Sequence, residues 1–306
     1  MKVVSFLPSA TEMLFAMGAG DLLVARSHEC DYPPEVRRLP VASRSRVRAG
    51  QAPGAIHEGV WRTFAQGRSH FEIDVGLLER VGPDLVICQD TCSVCALTND
   101  QVERTVATLP DPPRVLTLSA HRLSDVLTEI EEVGRAVDRP EAARELVRHL
   151  RERWDAVKRM RPPRDQWPRA LYLEWFDPLM AGGGWSPEQL ESAGALDIFG
   201  APGGSSTHLT WEEIRSRAPD AVVLGPCGFD LNRAREDLPE ITGAPGWAVL
   251  PAVRARRAWL VDGKAFMSRS GPRLFDGIEV LARLFHPDVY GPAPGEPEAL
   301  PVAPGG

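Results

Sequence analysis

The sequence predicts an α/β protein of two lobes, each with a mainly parallel sheet, joined by one long backbone helix. Short apolar runs alternate with helical patterns in both halves of the chain, which is typical of parallel sheets. A long amphipathic stretch, 141–160, separates the halves. A pattern of helix end, Pro-Asp turn and apolar run occurs once in each half, at 78–87 and 214–223, which indicates two related lobes.

The first half contains patterns for both strands and helices. Ser9 and Glu12 form a capping-box pattern that predicts the start of the first helix. Residues 27–70 show few periodic signals, and an irregular segment of this length is usually functional or disordered. The predicted strands are 2–6, 22–25, 85–88 and 115–118, and the predicted helices are 10–17, 75–81, 98–109 and 123–137.

The stretch 141–160 repeats apolar side chains at spacings of three and four, which is the pattern of one helix face. Pro140 precedes it and Pro162 follows it, so both ends are marked. At about 1.5 Å per residue the helix spans roughly 30 Å, the diameter of a small domain. We interpret it as a strut between two lobes. The alternative is a surface helix of one larger domain.

The second half repeats this plan. Thr210 and Glu213 form a second capping-box pattern. Strands are predicted at 170–175, 221–224 and 258–261, and helices at 186–193, 210–217 and 271–285. The predicted units are an N-terminal lobe at 1–122, linking helices at 123–162, a C-terminal lobe at 163–290 and a disordered Pro/Gly-rich tail at 291–306.

Composition excludes some classes of function. The net charge of -7 over 306 residues argues against general nucleic-acid binding, which needs a basic face. No apolar run approaches the length of a membrane span, so no membrane insertion is expected. The first residues lack a signal-peptide pattern and the cysteine count is odd, so we expect a cytoplasmic protein. A periplasmic or extracellular location would require that a leader had been removed.

Polar and aromatic side chains follow several predicted strands. They are Gln89 and Asp90 in the first half, and Trp175, Trp185 and Phe229 in the second. Since ligands of parallel α/β sheets bind beyond the carboxyl ends of the strands, these residues predict a site in a cleft between the lobes. Aromatic rings with a few polar groups suit a large, partly planar ligand. The alternative is that the tryptophans belong to the core of their lobe.

Four residues that follow predicted strands of the first half form a candidate metal site. His28, Cys30, Cys92 and Cys95 include a Cys-x-x-Cys pair, and thiolate and imidazole are the preferred ligands of zinc. Together with Cys88, the last two also have a spacing found in iron–sulfur proteins. A redox dithiol at Cys92 and Cys95 and a set of inert cysteines are the other interpretations.

The chain resembles a family over roughly residues 2–288. The resemblance rests mainly on the opening VVSFLPSATEMLFAMGAGDLLVARS and the closing WLVDGKAFMSRSGPRLFDGIEVLARLFHPD. Both resemble cobalamin-binding proteins of the helical-backbone (class III) solute-binding family, which serves ABC importers, in a subgroup without a leader. The resemblance implies two Rossmann-like lobes and a corrinoid held between aromatic side chains. By position it adds Tyr32 and Trp61 to the ligand-binding candidates, and it makes His28 a candidate cobalt ligand.

The functional prediction is a non-catalytic binding protein for cobalamin or a related corrinoid in the interlobe cleft. The alternative is a cytosolic metal- or iron–sulfur-dependent enzyme on the same scaffold, which would use the His28 and cysteine set. The resemblance also implies an ABC importer permease as a partner, with a glutamate on each lobe for docking. This sequence has Glu212 at one docking position but Gly76 at the other, with Asp74 nearby.

Overall fold

The first lobe is built on a parallel sheet. The computed structural model describes residues 1–47, 50–91 and 97–303. The elements of this lobe are β1 (Val3–Ser5), α1 (Pro8–Ala16), β2 (Leu23–Arg26), β3 (Ser43–Ser45), α2 (Pro53–Ala65), β4 (Phe71–Ile73), α3 (Val75–Val81), β5 (Leu85–Gln89), α4 (Asn99–Val106) and β6 (Arg114–Leu118). The sheet has the order β2-β1-β5-β6, and β3 pairs with β4 in a separate antiparallel ribbon. Strands β1 and β5 are buried throughout, as expected of central parallel strands.

Two helices link the lobes, α5 (Leu123–Ala136) and α6 (Pro140–Met160). They pack closely because Gly134 has no side chain, and a Cβ atom there would lie 2.3 Å from that of Ala143. Helix α6 buries one face, as its periodicity predicts, and Arg153 on it bonds to Asp276 and Glu279 of the second lobe. The predicted backbone helix is therefore confirmed, with one extra residue at its start.

The second lobe has a mixed sheet with a parallel centre. Its elements are β7 (Arg169–Phe176), β8 (Leu179–Ala181), α7 (Ser186–Ser192), β9 (Leu196–Asp197), β10 (Thr207–His208), α8 (Trp211–Arg217), β11 (Ala221–Leu224), α9 (Leu231–Thr242), α10 (Pro251–Arg254), β12 (Ala258–Val261), α11 (Gly263–Phe266), α12 (Arg273–Phe285), α13 (Pro287–Tyr290) and β13 (Ala299–Pro301). The order is β10-β8-β7-β11-β12-β13, with β9 paired to β7. Strands β7, β11 and β12 are parallel, while β8, β10 and β13 run antiparallel to their neighbours.

One apolar core runs through both lobes. It joins Val3 of the first sheet to Leu127 of α5, Val147 of α6, Phe275 of α12 and Tyr172 of the second sheet. The opposite faces of the two sheets bury separate clusters. The predicted fold class, two α/β lobes on one long helix, is confirmed.

Three local predictions are wrong. Helix α1 begins at Pro8 and has no side-chain cap, because the Ser9 and Glu12 side chains bond to the second lobe instead. The segment 27–70 contains a 3-10 turn, β3 and α2 rather than only irregular chain. The Pro/Gly-rich tail contributes β13, which pairs with β12 and buries Ala299 and Val302.

Candidate functional site

A cavity of about 390 Å³ lies between the two lobes. Its wall includes Leu7 and Gln89, which come from the carboxyl ends of β1 and β5 in the first lobe. The second lobe contributes Glu174 of β7 and Cys227, which follows β11. The volume falls in the range of about 300–1,000 Å³ that is usual for ligand pockets. The cleft predicted between the strand ends is therefore present.

Two glycine-rich loops of the second lobe form one wall of this cleft. The N–H of Gly184 donates to the carbonyl of Gly204 at 2.7 Å, and the N–H of Gly203 donates back to the carbonyl of Gly184 at 2.8 Å. A Cβ atom on Gly183 would lie 2.6 Å from the Gly204 carbonyl oxygen. The loops can meet only without side chains, so a ligand on this side would face backbone and serine hydroxyl groups.

A buried group of charges joins the lobes beside the cavity. We call it the interlobe ion cluster, and its members are Glu12, Asp31, Lys264, Arg269 and Arg273. Arg269 bonds to Glu12 at 3.1 Å and to Asp31 at 2.8 Å. Arg273 bonds to Glu12 at 2.6 Å, and Lys264 bonds to Asp31 at 2.7 Å. Both acids belong to the first lobe and all three bases to the second, so the cluster holds the lobes together.

The electrostatics of this cluster favour the ionised forms of Asp31 and Arg269. Burial alone would raise the pKa of Asp31, but the charge of Arg269 and the hydrogen bonds from Lys264 and Arg269 lower it to about 2. The pKa of the Arg269 guanidinium is raised, since the attraction of Glu12 and Asp31 outweighs burial. Asp31 and Arg269 therefore keep their charges at neutral pH.

Two of the predicted ligand-binding residues line the cavity. Gln89 is buried at the end of β5, and Trp185 lies at the start of α7. The Trp185 indole N–H donates to the carbonyl of Met267 at 2.6 Å, while its ring also packs against the shared core. The functional and the core interpretations of this tryptophan therefore both apply to one side chain.

Three others lie outside the cavity lining. Trp175 packs edge-on against Phe229 with ring centroids 5.5 Å apart, and Arg233 lies over the Phe229 ring. Tyr32 is 44% exposed, and the Arg273 guanidinium lies 4.0 Å from the centre of its ring. Tyr32 is thus next to the interlobe ion cluster, while Trp175 lies near the carboxyl end of β7 and Phe229 follows β11.

Trp61 and Asp90 are not brought to the cavity either. Trp61 is 54% exposed on α2, a helix of the first lobe that reaches the second. The ring of His57 lies 6.4 Å from that of His208, and Arg233 donates to the Gln51 carbonyl just before the helix. Asp90 is exposed, and its backbone N–H donates to Leu118.

The proposed metal site is not supported. Cys30 is fully buried, accepts a hydrogen bond from Thr11 and donates to the Ser5 carbonyl. Burial raises the pKa of its thiol to about 11, and that of Cys88 likewise, which favours the protonated thiol in both. Cys92 and Cys95 lie outside the described residues. Among the residues that are described, no group of three or more His, Cys, Asp or Glu side chains is placed to hold a metal ion.

His28 also has another role than the predicted one. Its Nδ1 is 2.9 Å from the Ser43 hydroxyl, and its ring packs against Phe71. Burial lowers the pKa of His28, which favours the neutral imidazole. The ring does not line the cavity, which removes the geometric basis for treating it as a cobalt ligand.

Sequence reasoning missed the acids of the cleft. Glu174 lines the cavity from the middle of an apolar strand, and Glu29 lines it from the loop after β2. The one signal for Glu174 is a charged residue in the strand pattern between Leu173 and Trp175. Glu12 matches a capping-box pattern in the sequence, and this match conceals its ion pairs with the second lobe.

Two lobes around a cleft between strand ends form the architecture of a ligand-binding protein. A family model described as periplasmic binding protein matches residues 3–265, so the chain belongs to that family. The resemblance stated from the sequence is confirmed at the level of the family.

Named relatives cover most of the chain. An uncharacterized ABC transporter substrate-binding lipoprotein of Bacillus subtilis (strain 168) is 25% identical over 94% of this chain and 81% of its own. A vitamin B12-binding protein of Vibrio parahaemolyticus serotype O3:K6 (strain RIMD 2210633) is 23% identical over 90% of this chain and 86% of its own length. The crystal structure of a periplasmic heme binding protein from Pseudomonas aeruginosa matches with a TM-score of 0.75 at 19% identity. The match covers 100% of this chain and 99% of that protein's chain, so the two share a fold.

The comparisons decide between the two predicted classes. The family and these relatives are substrate-binding proteins, so the prediction of a non-catalytic protein is confirmed and the enzyme alternative finds no support. The cytoplasmic expectation is not supported, because the relatives are named as periplasmic proteins or lipoproteins. In the described part of the chain, no helix has both the length and the apolar character needed to cross a membrane.

Proposed function

We propose that this protein binds cobalamin or a related corrinoid in the interlobe cleft and presents it to the permease of an ABC importer. The observation that carries the proposal is the cavity between the strand ends of both lobes, with Trp185 and Gln89 in its wall. The named vitamin B12-binding relative supports the choice of ligand. At about 390 Å³ the cavity is smaller than a whole cobalamin, so part of the ligand would extend to the Trp175–Phe229 pair.

A titration with cyanocobalamin, followed by visible absorbance and tryptophan fluorescence, tests this function. We expect saturable one-to-one binding with a Kd below about 10 μM, or about 7 kcal/mol. Absence of binding at about 100 μM cobalamin would reject the corrinoid as ligand. Hemin and a ferric hydroxamate, titrated in parallel, would then identify which other ligand class occupies the cleft.

Replacing Trp185 by Ala should weaken corrinoid binding by about 2 kcal/mol, or roughly 30-fold in Kd, because a half-buried aromatic contact in the cavity wall would be lost. Calorimetric titration measures the change. Trp167→Ala is the matched control, since Trp167 packs between Arg161 and Arg164 away from the cleft. Equal Kd values for the two variants would show that Trp185 serves only the core. Circular dichroism should confirm that both variants are folded.

Glu212 is our proposed docking residue on the second lobe. It is exposed in the first turn of α8, and its neighbour Glu213 takes the capping role, which leaves Glu212 free to face a partner. On the first lobe the exposed Asp74 caps α3, and Gly76 follows two residues later. Docking also implies a location outside the cytoplasmic membrane, which cell fractionation would check.

Glu212→Lys should abolish stimulation of the importer's ATPase while corrinoid affinity is retained; unchanged stimulation would exclude this residue.

A further inference from the structure

We infer that the interlobe cleft selects neutral ligands rich in carboxamide or hydroxyl groups, and that Glu174 is a residue that discriminates against ligands carrying carboxylates. The inference rests on the proposed function and narrows its ligand class. The inference comes from the charged side chains in the cavity wall, which are either acidic or already paired with groups of opposite charge.

Glu174 is held in place by both glycine-rich loops. Its carboxyl group accepts hydrogen bonds from the Ser206 hydroxyl and from the Gly183 N–H. Burial raises the pKa of Glu174, and these two hydrogen bonds oppose the rise. A neutral carboxyl group can donate to an amide carbonyl, and an ionised one can accept from an amide N–H. In neither state does Glu174 supply the positive charge that a carboxylate of the ligand would need once it is buried in the cleft.

The basic residue of the wall is already compensated. Arg269 lines the cavity, but its guanidinium bonds to the carboxylates of Glu12 and Asp31 and to the Glu29 carbonyl at 2.8 Å. Glu29 itself adds a second acid to the lining. Among the described residues of the wall, Arg269 is the sole lysine or arginine, so a carboxylate entering the cleft would meet no unpaired guanidinium or ammonium group.

The remaining polar wall is suited to amides. Three further ionisable side chains line the described cavity wall, and they are His121, Tyr172 and Cys227. His121 is exposed, and its backbone N–H donates to Asp125. The described lining includes several hydroxyl side chains, and three of them are Ser9, Ser205 and Ser270. A hydroxyl group both donates and accepts, as a carboxamide does, whereas a carboxylate only accepts. Corrinoids carry carboxamides at the ring periphery and hemes carry two carboxylates, so this wall separates the two ligand classes.

The test compares two corrinoids that differ mainly in these groups. Dicyanocobinamide has peripheral carboxamides, and dicyanocobyrinic acid has carboxylates on the same ring. By calorimetry at pH 8 we expect the wild-type protein to bind the amide form at least about tenfold more tightly, because a buried carboxylate is left without a partner. Glu174→Gln should reduce this ratio by about threefold or more, since glutamine carries no negative charge at any pH and its amide N–H can donate to a ligand carboxylate. Glu145→Gln, on the exposed face of α6, should leave the ratio unchanged.

The outcomes separate this inference from the proposed function. Equal affinity for the two corrinoids, or tighter binding of the acid, would overturn the selectivity while corrinoid binding itself stands. A ratio that stays the same in Glu174→Gln would remove Glu174 from the role. If Glu174→Gln does not fold, Glu29→Gln tests the same acidic wall. Failure of both corrinoids to bind would overturn the proposed function and this inference with it.

Discussion

Glu12→Gln should lower the free energy of unfolding by about 3 kcal/mol at pH 7, because it removes the acid that faces the buried Arg269 and the half-buried Arg273. The side chains of Glu12 and Arg269 are 3% and 7% exposed, and that of Arg273 is 17% exposed. The side-chain amide of glutamine has a single oxygen that could accept hydrogen bonds from the two arginines. Its N–H groups would face guanidinium N–H groups, and two donors cannot bond to each other. Chemical denaturation, with circular dichroism as the signal, measures the change.

The matched control is Glu145→Gln, which also removes one charge from an ion pair between glutamate and arginine on a helix. Glu145 pairs with Arg148 on the exposed face of α6, where water screens the charges. The denaturation midpoint of the Glu145→Gln variant should therefore equal that of the wild type. If the two variants have the same midpoint, the interlobe ion cluster contributes no net stability and the shared apolar core alone holds the lobes together.

Glu129→Gln should stabilise the protein at pH 8 by up to about 3 kcal/mol, the free energy that corresponds to the pKa shift of this carboxyl group. Glu129 is buried on α5, and burial raises its pKa to about 7 although the N–H groups of Ser119 and Ala120 donate to it. Its Oε2 atom is buried and has no hydrogen-bond partner among the described residues. Ionising this group in the folded protein is therefore costly.

The sign of the pH dependence follows from proton uptake. Between the usual pKa of 4.5 and the folded value of about 7, the folded chain holds a proton that the unfolded chain has released. The contribution of Glu129 to stability therefore falls as the pH rises through this window, and glutamine removes the fall. Denaturation curves of wild type and variant should lie closest near pH 4, below the usual pKa, and separate as the pH rises to 8. A difference that is constant over this range would exclude titration of Glu129 as the cause.

The periodicity of the sequence was sufficient for the architecture. The spacing of Val147, Leu150 and Val157 on α6, and the repeated Pro-Asp turn before β5 and β11, depend on local geometry that nearby residues specify. For the site, the sequence predicted a cleft at the strand ends and placed Gln89 and Trp185 at it. The position of Gln89 follows from strand direction, since the carboxyl ends of parallel strands meet at one edge. Trp185 instead reaches the cavity from the start of α7, after the antiparallel strand β8.

Other features needed the packed structure. Ser9 and Glu12 match a capping box, yet their side chains bond to Ser270 and to Arg273, more than 250 residues away in the chain. A short pattern cannot distinguish a local hydrogen bond from a distant partner that offers a full charge. Likewise the tail has a disordered composition, but the open edge of β12 provides backbone hydrogen-bond partners for β13.

By itself, then, the sequence determined that this protein has two α/β lobes on one helix, belongs to a binding-protein family and has its cleft at the strand ends. Only the tertiary structure decided which side chains occupy that cleft and in what state. It left Tyr32 and Trp61 outside the cavity, placed Glu174 in its wall, and buried Cys30 as a protonated thiol. The physical reason is that burial and charge compensation depend on residues far apart in the chain, which periodicity does not record.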